Sequence, residues 1–114
     1  MLSIILPAKN EAAALADLLP RLRQAQPEAE IIVVDDGSSD DTARLCAASA
    51  VQVVRQPYSM GNGAAIKRGA RDARGDVLVF MDADGQHDPV LIERLLRGLD
   101  GGMNIVVVAR DGSG

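Results

Sequence analysis

The sequence is poor in the residue types that cross-link, stack or anchor a protein. It contains one cysteine, one histidine, one tyrosine, one phenylalanine and no tryptophan among 114 residues. A lone cysteine cannot form an internal disulfide, and so few aromatic rings provide no platform for stacking bases or sugars. No apolar run reaches the roughly 18 residues that suggest a membrane-spanning helix. We therefore expect a cytoplasmic protein that is held together by its core.

Positive charge is also scarce. Twelve Lys and Arg residues stand against sixteen Asp and Glu residues, which gives a formal net charge of -4. This balance argues against nucleic acid as a partner, because such binding relies on Lys and Arg that neutralise phosphates.

Cys46 lies in an apolar helical stretch without a nearby histidine, so we expect it to pack rather than act as a nucleophile. The length suits one compact domain.

Short runs of β-branched residues alternate with stretches of helical periodicity. The runs predict strands over 3–8, 30–35, 51–55, 76–81 and 104–109, and the periodicity predicts helices over 11–26, 41–49, 63–73 and 89–99. Nearly continuous apolar strands separated by helices indicate a parallel sheet that is covered on both faces and joined by right-handed crossovers. The predicted fold class is therefore α/β.

Polar residues follow three of the predicted strands directly. They occupy positions 7–11 after the first strand, 35–39 after the second and 82–87 after the fourth. Ligands of open α/β sheets bind outside the carboxyl ends of the strands. The sequence therefore predicts a functional site at one edge of the sheet, where three polar segments meet.

Asp82 and Asp84 flank a single alanine in the third of these segments. Such a pair offers hard oxygen ligands to Mg²⁺ or Mn²⁺, while phosphates of a substrate fill other coordination positions. Gln86 or His87 can add a further ligand. A plain polar turn is the alternative, since Asp and Gly are common in turns. The matching positions of the other acidic clusters favour the metal site.

Residues 35–41, which extend the second polar segment by two positions, contain four aspartates. Asp36 lies nearest the expected crevice, and we interpret it as a ligand-binding residue rather than a helix cap. Asp40 and Asp41 are expected to cap the second helix, and Asn10 the first. Glu11 in the first turn suits either the helix dipole or a nucleotide contact.

A glycine-rich segment opens the third predicted helix. Residues 59–67 read SMGNGAAIK, in which two glycines leave backbone N–H groups free and Lys67 follows within the helix. This pattern favours contact with an anion such as a phosphate, and a solvated helix face is the alternative reading of Lys67. The dinucleotide fingerprint is absent, because its third glycine would fall at Ile66.

With these motifs assembled, the sequence resembles the amino-terminal half of a family 2 glycosyltransferase of the polyprenyl-phosphate (dolichyl-phosphate) hexosyltransferase type. Four segments carry the resemblance in the family's order: SIILPAKNEAAAL at 3–15, IIVVDDGSSDDT at 31–42, GNGAAIKRGARDARGD at 61–76 and VFMDADGQHDP at 79–89. The resemblance implies a Rossmann-like nucleotide-diphospho-sugar transferase (GT-A) fold that is apparently truncated. Residues 1–114 would form its nucleotide-sugar-binding part.

The resemblance also implies an activity. It is the inverting transfer of a hexose from a GDP- or UDP-linked donor to a polyprenyl phosphate at a membrane surface or to a glycan. A bound Mg²⁺ or Mn²⁺ would act as Lewis acid on the leaving diphosphate. The protein would be cytoplasmic and would meet the membrane from its cytoplasmic face. The catalytic base and the acceptor site would belong to the other half of such a domain.

Site roles carried over from the family fall into three groups. The residues implied to line the nucleoside pocket are Pro7, Ala8, Asn10 and Glu11, with Asp36 on the base. Lys67 would approach the donor diphosphate. The catalytic pair Asp82 and Asp84 would hold the ribose and the metal, and Gln86 would join the metal ligands.

Three other readings stay open at this point. A phosphoacceptor receiver domain has similar length, five strands and a strand-end acid pair, but in a receiver that pair follows the first strand and a lysine follows the last. A haloacid-dehalogenase-like phosphatase would use the Asp-Ala-Asp-Gly segment that begins at Asp82 as its nucleophile loop. The third reading is a donor-binding fragment without turnover.

Overall fold

The computed structural model describes residues 1–49, 51–81 and 104–108. This part of the chain contains the strands β1 (Leu2–Ala8), β2 (Glu30–Asp36), β3 (Gln52–Gln56), β4 (Val77–Met81) and β5 (Asn104–Val108), and the helices α1 (Ala12–Ala25), α2 (Thr42–Ala48) and α3 (Asn62–Asp72). The sequence predictions for these eight elements are confirmed to within one or two residues at each end. The helix predicted over 89–99 lies outside the described residues.

All strand neighbours run parallel, in the order β3-β2-β1-β4-β5. The chain moves outward from β1 through β2 to β3 and then returns past β1 to β4. The direction of winding therefore reverses between β1 and β4. In open α/β sheets this reversal creates a crevice at the carboxyl ends of the two strands.

Helices cover both faces of the sheet, as predicted. On one face, leucines of α1 and Cys46 of α2 pack against alternate residues of β1, β2 and β4; on the other, Ala65, Ile66 and Ala70 of α3 pack against the intervening residues. Both faces of β1 and β2 are buried, which explains why these strands are apolar almost without interruption.

Cys46 is fully buried in the first of these cores. Burial raises the pKa of its thiol to about 11, and the negative charge of Asp35 adds to the effect. A thiol with so high a pKa is not a thiolate nucleophile at neutral pH. The expectation that Cys46 packs in the core is confirmed.

Helix α3 lies unusually close to the sheet at Gly69. A Cβ atom at this position would overlap with Ile5 Cγ2, so only glycine permits the observed approach. The longest helix among the described residues is α1, with 14 residues. In this part of the chain no helix combines the length and apolar character needed to cross a bilayer.

Candidate functional site

The loops after β1 and β2 meet at the carboxyl edge of the sheet. Asn10 is the central residue of this contact: its backbone N–H donates to Ser38 Oγ at 2.8 Å, and its side-chain Oδ1 accepts from the N–H of Ser39 at 2.8 Å and of Asp40 at 3.2 Å. Asn10 itself has a positive φ of 55°, a conformation that asparagine tolerates better than most residues. One side chain thus fixes two loops against each other.

Further hydrogen bonds join the starts of α1 and α2. The N–H of Glu11 donates to Thr42 Oγ1 at 3.1 Å, and the N–H of Ala12 donates to Asp40 Oδ2 at 3.3 Å. The other oxygen of Asp40 accepts from the N–H of Thr42 at 2.9 Å and from its hydroxyl. The Asp40 carboxylate therefore serves the first residues of both helices.

These contacts revise part of the capping prediction. Asp40 satisfies the first N–H of α2, as expected, whereas Asp41 makes no side-chain cap and lies 4.0 Å from Arg44 in an exposed pair. Asn10 does not cap α1, because its side-chain oxygen is used by the loop after β2, 29 and 30 residues away. A local rule for helix caps does not detect such a distant partner.

Asp36 ends β2 and is 6% exposed. Its Oδ1 accepts from Gln56 Nε2 and the N–H of Met60, both at 2.7 Å, and its Oδ2 accepts from the N–H of Gly61 at 3.0 Å and from Ser59 Oγ at 3.2 Å. Burial raises the pKa of this carboxyl, but the four hydrogen bonds outweigh burial and leave the pKa below its ordinary value of 3.8.

The Asp36 contacts correct the interpretation of the glycine-rich segment. Free backbone N–H groups were expected there for an external anion, yet those of Met60 and Gly61 already donate to Asp36. The anion held by this stretch, just before α3, is the protein's own carboxylate. Gln56, Ser59 and Met60 are thus part of the site, although no motif marked the first and the glycine pattern marked the other two only indirectly.

Asp35 points to the opposite face of the sheet and is fully buried. Its Oδ1 accepts from the N–H of Ser38 at 2.9 Å, while Oδ2 makes no hydrogen bond and lies 3.8 Å from Arg55 Nε. Among the described residues, Asp35 Oδ2 is the one buried side-chain oxygen or nitrogen without a hydrogen-bond partner. Two adjacent aspartates thus fix two different loops from opposite faces of β2.

The remaining predicted residues are distributed as follows. Pro7 and Ala8 are buried at the end of β1, beside the loop that Asn10 organises. Lys67 lies on α3 and lines a pocket with Gln56 and Met60. Asp82, Asp84 and Gln86 lie outside the described residues. Asp82 directly follows Met81, the last residue of β4, which borders the crevice.

A metal site does not appear elsewhere in the described part of the chain. Within residues 1–49, 51–81 and 104–108, no group of three or more His, Cys, Asp or Glu side chains could hold an ion. The chemistry of the donor set at Asp82, Asp84 and Gln86, two carboxylates and an amide oxygen, fits Mg²⁺ or Mn²⁺. These three residues therefore remain the candidate metal ligands.

A doubly wound parallel sheet with polar loops at its switch point is the architecture of nucleotide-binding α/β domains. Comparison with known sequences defines the family within that class. The sequence model described as Glycosyl transferase family 2 matches residues 3–114, and the chain belongs to this family. This membership replaces the receiver and phosphatase readings.

Curated relatives include two lipid-linked sugar transferases. The chain is 38% identical over 114 residues to a dolichol-phosphate mannosyltransferase of Pyrococcus furiosus, covering 95% of this chain and 32% of the relative. It is 38% identical over 119 residues to an undecaprenyl-phosphate 4-deoxy-4-formamido-L-arabinose transferase of Pseudomonas fluorescens, covering 96% of this chain and 35% of the relative. The chain thus spans about a third of the length of these relatives.

Among solved structures, the chain resembles glucosyl-3-phosphoglycerate synthase from Mycobacterium tuberculosis in complex with Mn²⁺, UDP and glucosyl-3-phosphoglycerate. The TM-score is 0.76 at 32% identity, over 90% of this chain and 40% of that one. The same enzyme with Mn²⁺, UDP-glucose and phosphoglyceric acid gives a TM-score of 0.71 at 31% identity, over 86% and 40% of the two chains. The predicted GT-A fold is confirmed.

Proposed function

We propose that this chain forms the donor-binding part of an inverting glycosyltransferase. It would move a hexose from a GDP- or UDP-linked donor to a polyprenyl phosphate at a membrane surface. The family match over residues 3–114 carries this proposal. Relatives named for dolichol phosphate and undecaprenyl phosphate support the acceptor class, and a structural neighbour with UDP-glucose supports the donor class.

The nucleoside would lie against the loops after β1 and β2. Pro7, Ala8, Asn10 and Glu11 are the residues proposed to line its pocket. The hydrogen bonds of Asn10 to the loop after β2 hold this edge in one arrangement before any ligand arrives. A preorganised edge favours binding, because less conformational entropy is lost when the ligand is held.

Asp36 is proposed to contact the base, and its present partners indicate how. A carboxylate offers about four lone-pair positions, and all four hydrogen bonds of Asp36 come from its own protein. The bond from Ser59 Oγ is the longest, at 3.2 Å, and a hydroxyl can rotate away at little expense. A base N–H would therefore replace the Ser59 hydroxyl while the backbone contacts persist.

Asp82, Asp84 and Gln86 are proposed to hold Mg²⁺ or Mn²⁺. When bound, the ion would stabilise negative charge on the leaving nucleoside diphosphate. The Mn²⁺ present in a structural neighbour supports divalent metal use. The position of Asp82 directly after β4 supports a location at the switch point, where the diphosphate of the donor is expected.

Donor binding without turnover is the second candidate function. The chain covers 32% and 35% of the two lipid-linked sugar transferases, and this observation favours a chain that holds the donor while other segments supply the acceptor site. The two candidates share the donor site and differ in product formation. A transfer assay on a short-chain polyprenyl phosphate separates them.

Calorimetric titration of GDP, UDP and their mannose and glucose conjugates, with and without Mn²⁺, tests the donor site. Asp82→Asn and Asp84→Asn should each weaken Mn²⁺-dependent binding at least about tenfold, the lower end of losses seen even for groups outside the direct ligands of a metal. Asp17→Asn, on the outer face of α1, removes the same charge far from the edge and should bind as the unmodified chain does.

Two results would contradict the proposal. Binding that needs no metal and survives both substitutions would remove Asp82 and Asp84 from the site. A folded chain that binds none of the nucleotides would show that these 114 residues do not hold a donor. Circular dichroism on each variant confirms that it is folded before titration.

A further inference from the structure

One stripe of α3 carries three basic residues. Lys67, Arg68 and Arg71 share a face of the helix with Ala64, because residues three and four apart lie on the same side. This face forms one wall of a pocket of about 230 Å³, and the chain at the end of β3 forms the other. The lining residues are Gln56, Pro57, Met60, Ala64, Lys67, Arg68 and Arg71.

The pocket has an excess of positive charge. Arg68 Nε lies 3.3 Å from Asp72 Oδ2. In the described part of the chain, this is the one ion pair that any of the three cations makes. Within that part, Lys67 and Arg71 have no carboxylate partner, in a protein whose formal net charge is -4. Concave sites lined by charge of one sign focus the field and attract the opposite charge.

The pocket begins beside the segment that donates to Asp36, with Gln56 and Met60, and its cations lie along α3 away from the carboxyl edge. Helix α3 begins at the carboxyl edge with Asn62, and Arg71 lies nine residues later, about 13 Å along the axis at 1.5 Å per residue. The pocket flanks β3, whereas the switch point lies between β1 and β4, beyond β2. The sequence-based role of Lys67 on the donor diphosphate therefore competes with a role in this pocket.

Size and chemistry narrow the ligand. Pockets for drug-sized ligands measure about 300–1,000 Å³, so a volume of about 230 Å³ is small for a nucleotide sugar and sufficient for a phosphate group. Arginine guanidinium groups match phosphate oxygens in pairs, and lysine adds a point charge. We propose that this pocket binds a phosphate group, carried either by a soluble phosphorylated molecule or by a phospholipid headgroup, independently of the donor.

Exposed side chains beside the pocket are compatible with the lipid source. Met60 lines the pocket and is 47% exposed, and Tyr58, next to Pro57, is 66% exposed. Apolar and tyrosine side chains next to basic residues are typical of surfaces that lie against headgroups. The soluble and lipid sources place the same phosphate against the same cations, and they differ in whether a membrane surface is needed.

The test compares two double variants of the full chain. Lys67→Gln with Arg71→Gln removes two pocket cations at exposed helix positions, and Arg21→Gln with Arg44→Gln removes two exposed cations elsewhere. Backbone amide NMR follows titration with inorganic phosphate and glycerol phosphate, alone and with saturating UDP or GDP. Co-sedimentation with phosphatidylcholine vesicles, with and without phosphatidic acid, measures the lipid arm.

We expect amide shifts at residues 56–71 and binding that weakens about fivefold for each pocket cation removed, hence about 25-fold in the double variant. The control pair should bind as the unmodified chain does. Binding to soluble phosphates identifies one source, and binding to phosphatidic acid vesicles alone identifies the other. Both results support the pocket.

Three outcomes overturn the proposal. The folded chain binds neither phosphates nor vesicles, or the control pair loses as much affinity as the pocket pair, or UDP or GDP displaces the phosphate. The last outcome would return Lys67 to the donor site. Since phosphate binding is read without any donor, failure of the proposed function and failure of this proposal are distinguishable.

Discussion

Gly37 joins the two loops that Asp36 brings together, and replacing it by alanine tests that contact. Its φ is +75°, in the region that residues other than glycine rarely adopt. A Cβ atom here would lie 2.7 Å from the backbone N of Ser59 and 2.9 Å from the carbonyl C of Tyr58. The backbone of this loop cannot retreat freely, because Asp36 holds it by hydrogen bonds.

The expected loss has two parts. A left-handed backbone costs a residue with a side chain about 1–2 kcal/mol, and forcing a methyl group against fixed backbone costs about 1–3 kcal/mol. We expect Gly37→Ala to lower the free energy of unfolding by about 2–5 kcal/mol in total. At the size of this domain the loss corresponds to a fall in Tm of about 8–20 °C. Urea unfolding followed by circular dichroism measures it.

Substitutions at two other glycines measure the backbone strain separately from the steric contact. Gly61 has a φ of +92° with nothing within 4 Å of its missing Cβ, so Gly61→Ala carries backbone strain alone and should cost about 1–3 kcal/mol. Gly63 has open space and lies within α3, so Gly63→Ala should raise stability by up to about 1 kcal/mol. If Gly37→Ala is no worse than Gly63→Ala, both the strain and the contact with residues 58–59 are refuted.

Three further predictions concern the core and the acidic site. Gly69→Ala should lower the free energy of unfolding by about 1–2 kcal/mol despite the better helix propensity of alanine, because its Cβ would meet the stiff side chain of Ile5. Urea unfolding of this variant and of Gly63→Ala, in the same helix, measures the effect. Equal free energies of unfolding for the two variants would contradict it. The pKa of Asp36 is lowered in the folded state, so the carboxylate stabilises the fold above pH 3.8, its ordinary pKa, and this stabilisation is lost as the pH falls below that value. The difference in free energy of unfolding between the unmodified chain and Asp36→Asn should therefore narrow from pH 5 to pH 3. A constant difference would count against the four hydrogen bonds. Cys46, with its pKa raised to about 11, should react with iodoacetamide at pH 8 only after unfolding in urea, and labelling of the native protein at the rate of a free thiol would disprove its burial.

The secondary structure was readable from the sequence because its determinants are local. Strands β1 and β2 are buried on both faces and therefore appear as unbroken apolar runs, and α1 carries its leucines at helical spacing. The strand order is a different matter, because periodicity does not say which strands are neighbours. The order β3-β2-β1-β4-β5, with β1 at the centre, therefore comes from the structure alone.

The candidate site was predictable in place but not in detail. The rule that ligands bind beyond the carboxyl ends of strands predicted that the loops after β1 and β2 meet at one edge, and the structure brings these two loops together. The roles of single residues escaped, because the partners of Asn10 lie 28 to 30 residues away and those of Asp36 lie 20 to 25 residues away. Asparagine before a helix suggests a cap by local statistics, and no local rule indicates that its side chain is used by another loop.

Asp36 combines two demands that the sequence presents as one. A carboxylate that only bound a ligand would leave the segment from Ser59 to Gly61 without hydrogen bonds to β2. A carboxylate that only held this segment could be replaced by any hydrogen-bond acceptor of similar shape. The lowered pKa keeps the group ionised, which serves its four present hydrogen bonds and would also serve the base N–H proposed to bind there. Under the proposed function, a base that displaces the Ser59 hydroxyl, the most distant of the four partners, would couple ligand binding to the conformation of residues 57–61. The same segment borders the basic pocket through Met60, so the proposed phosphate would lie next to the segment that Asp36 anchors, although the cations proposed to bind it belong to α3.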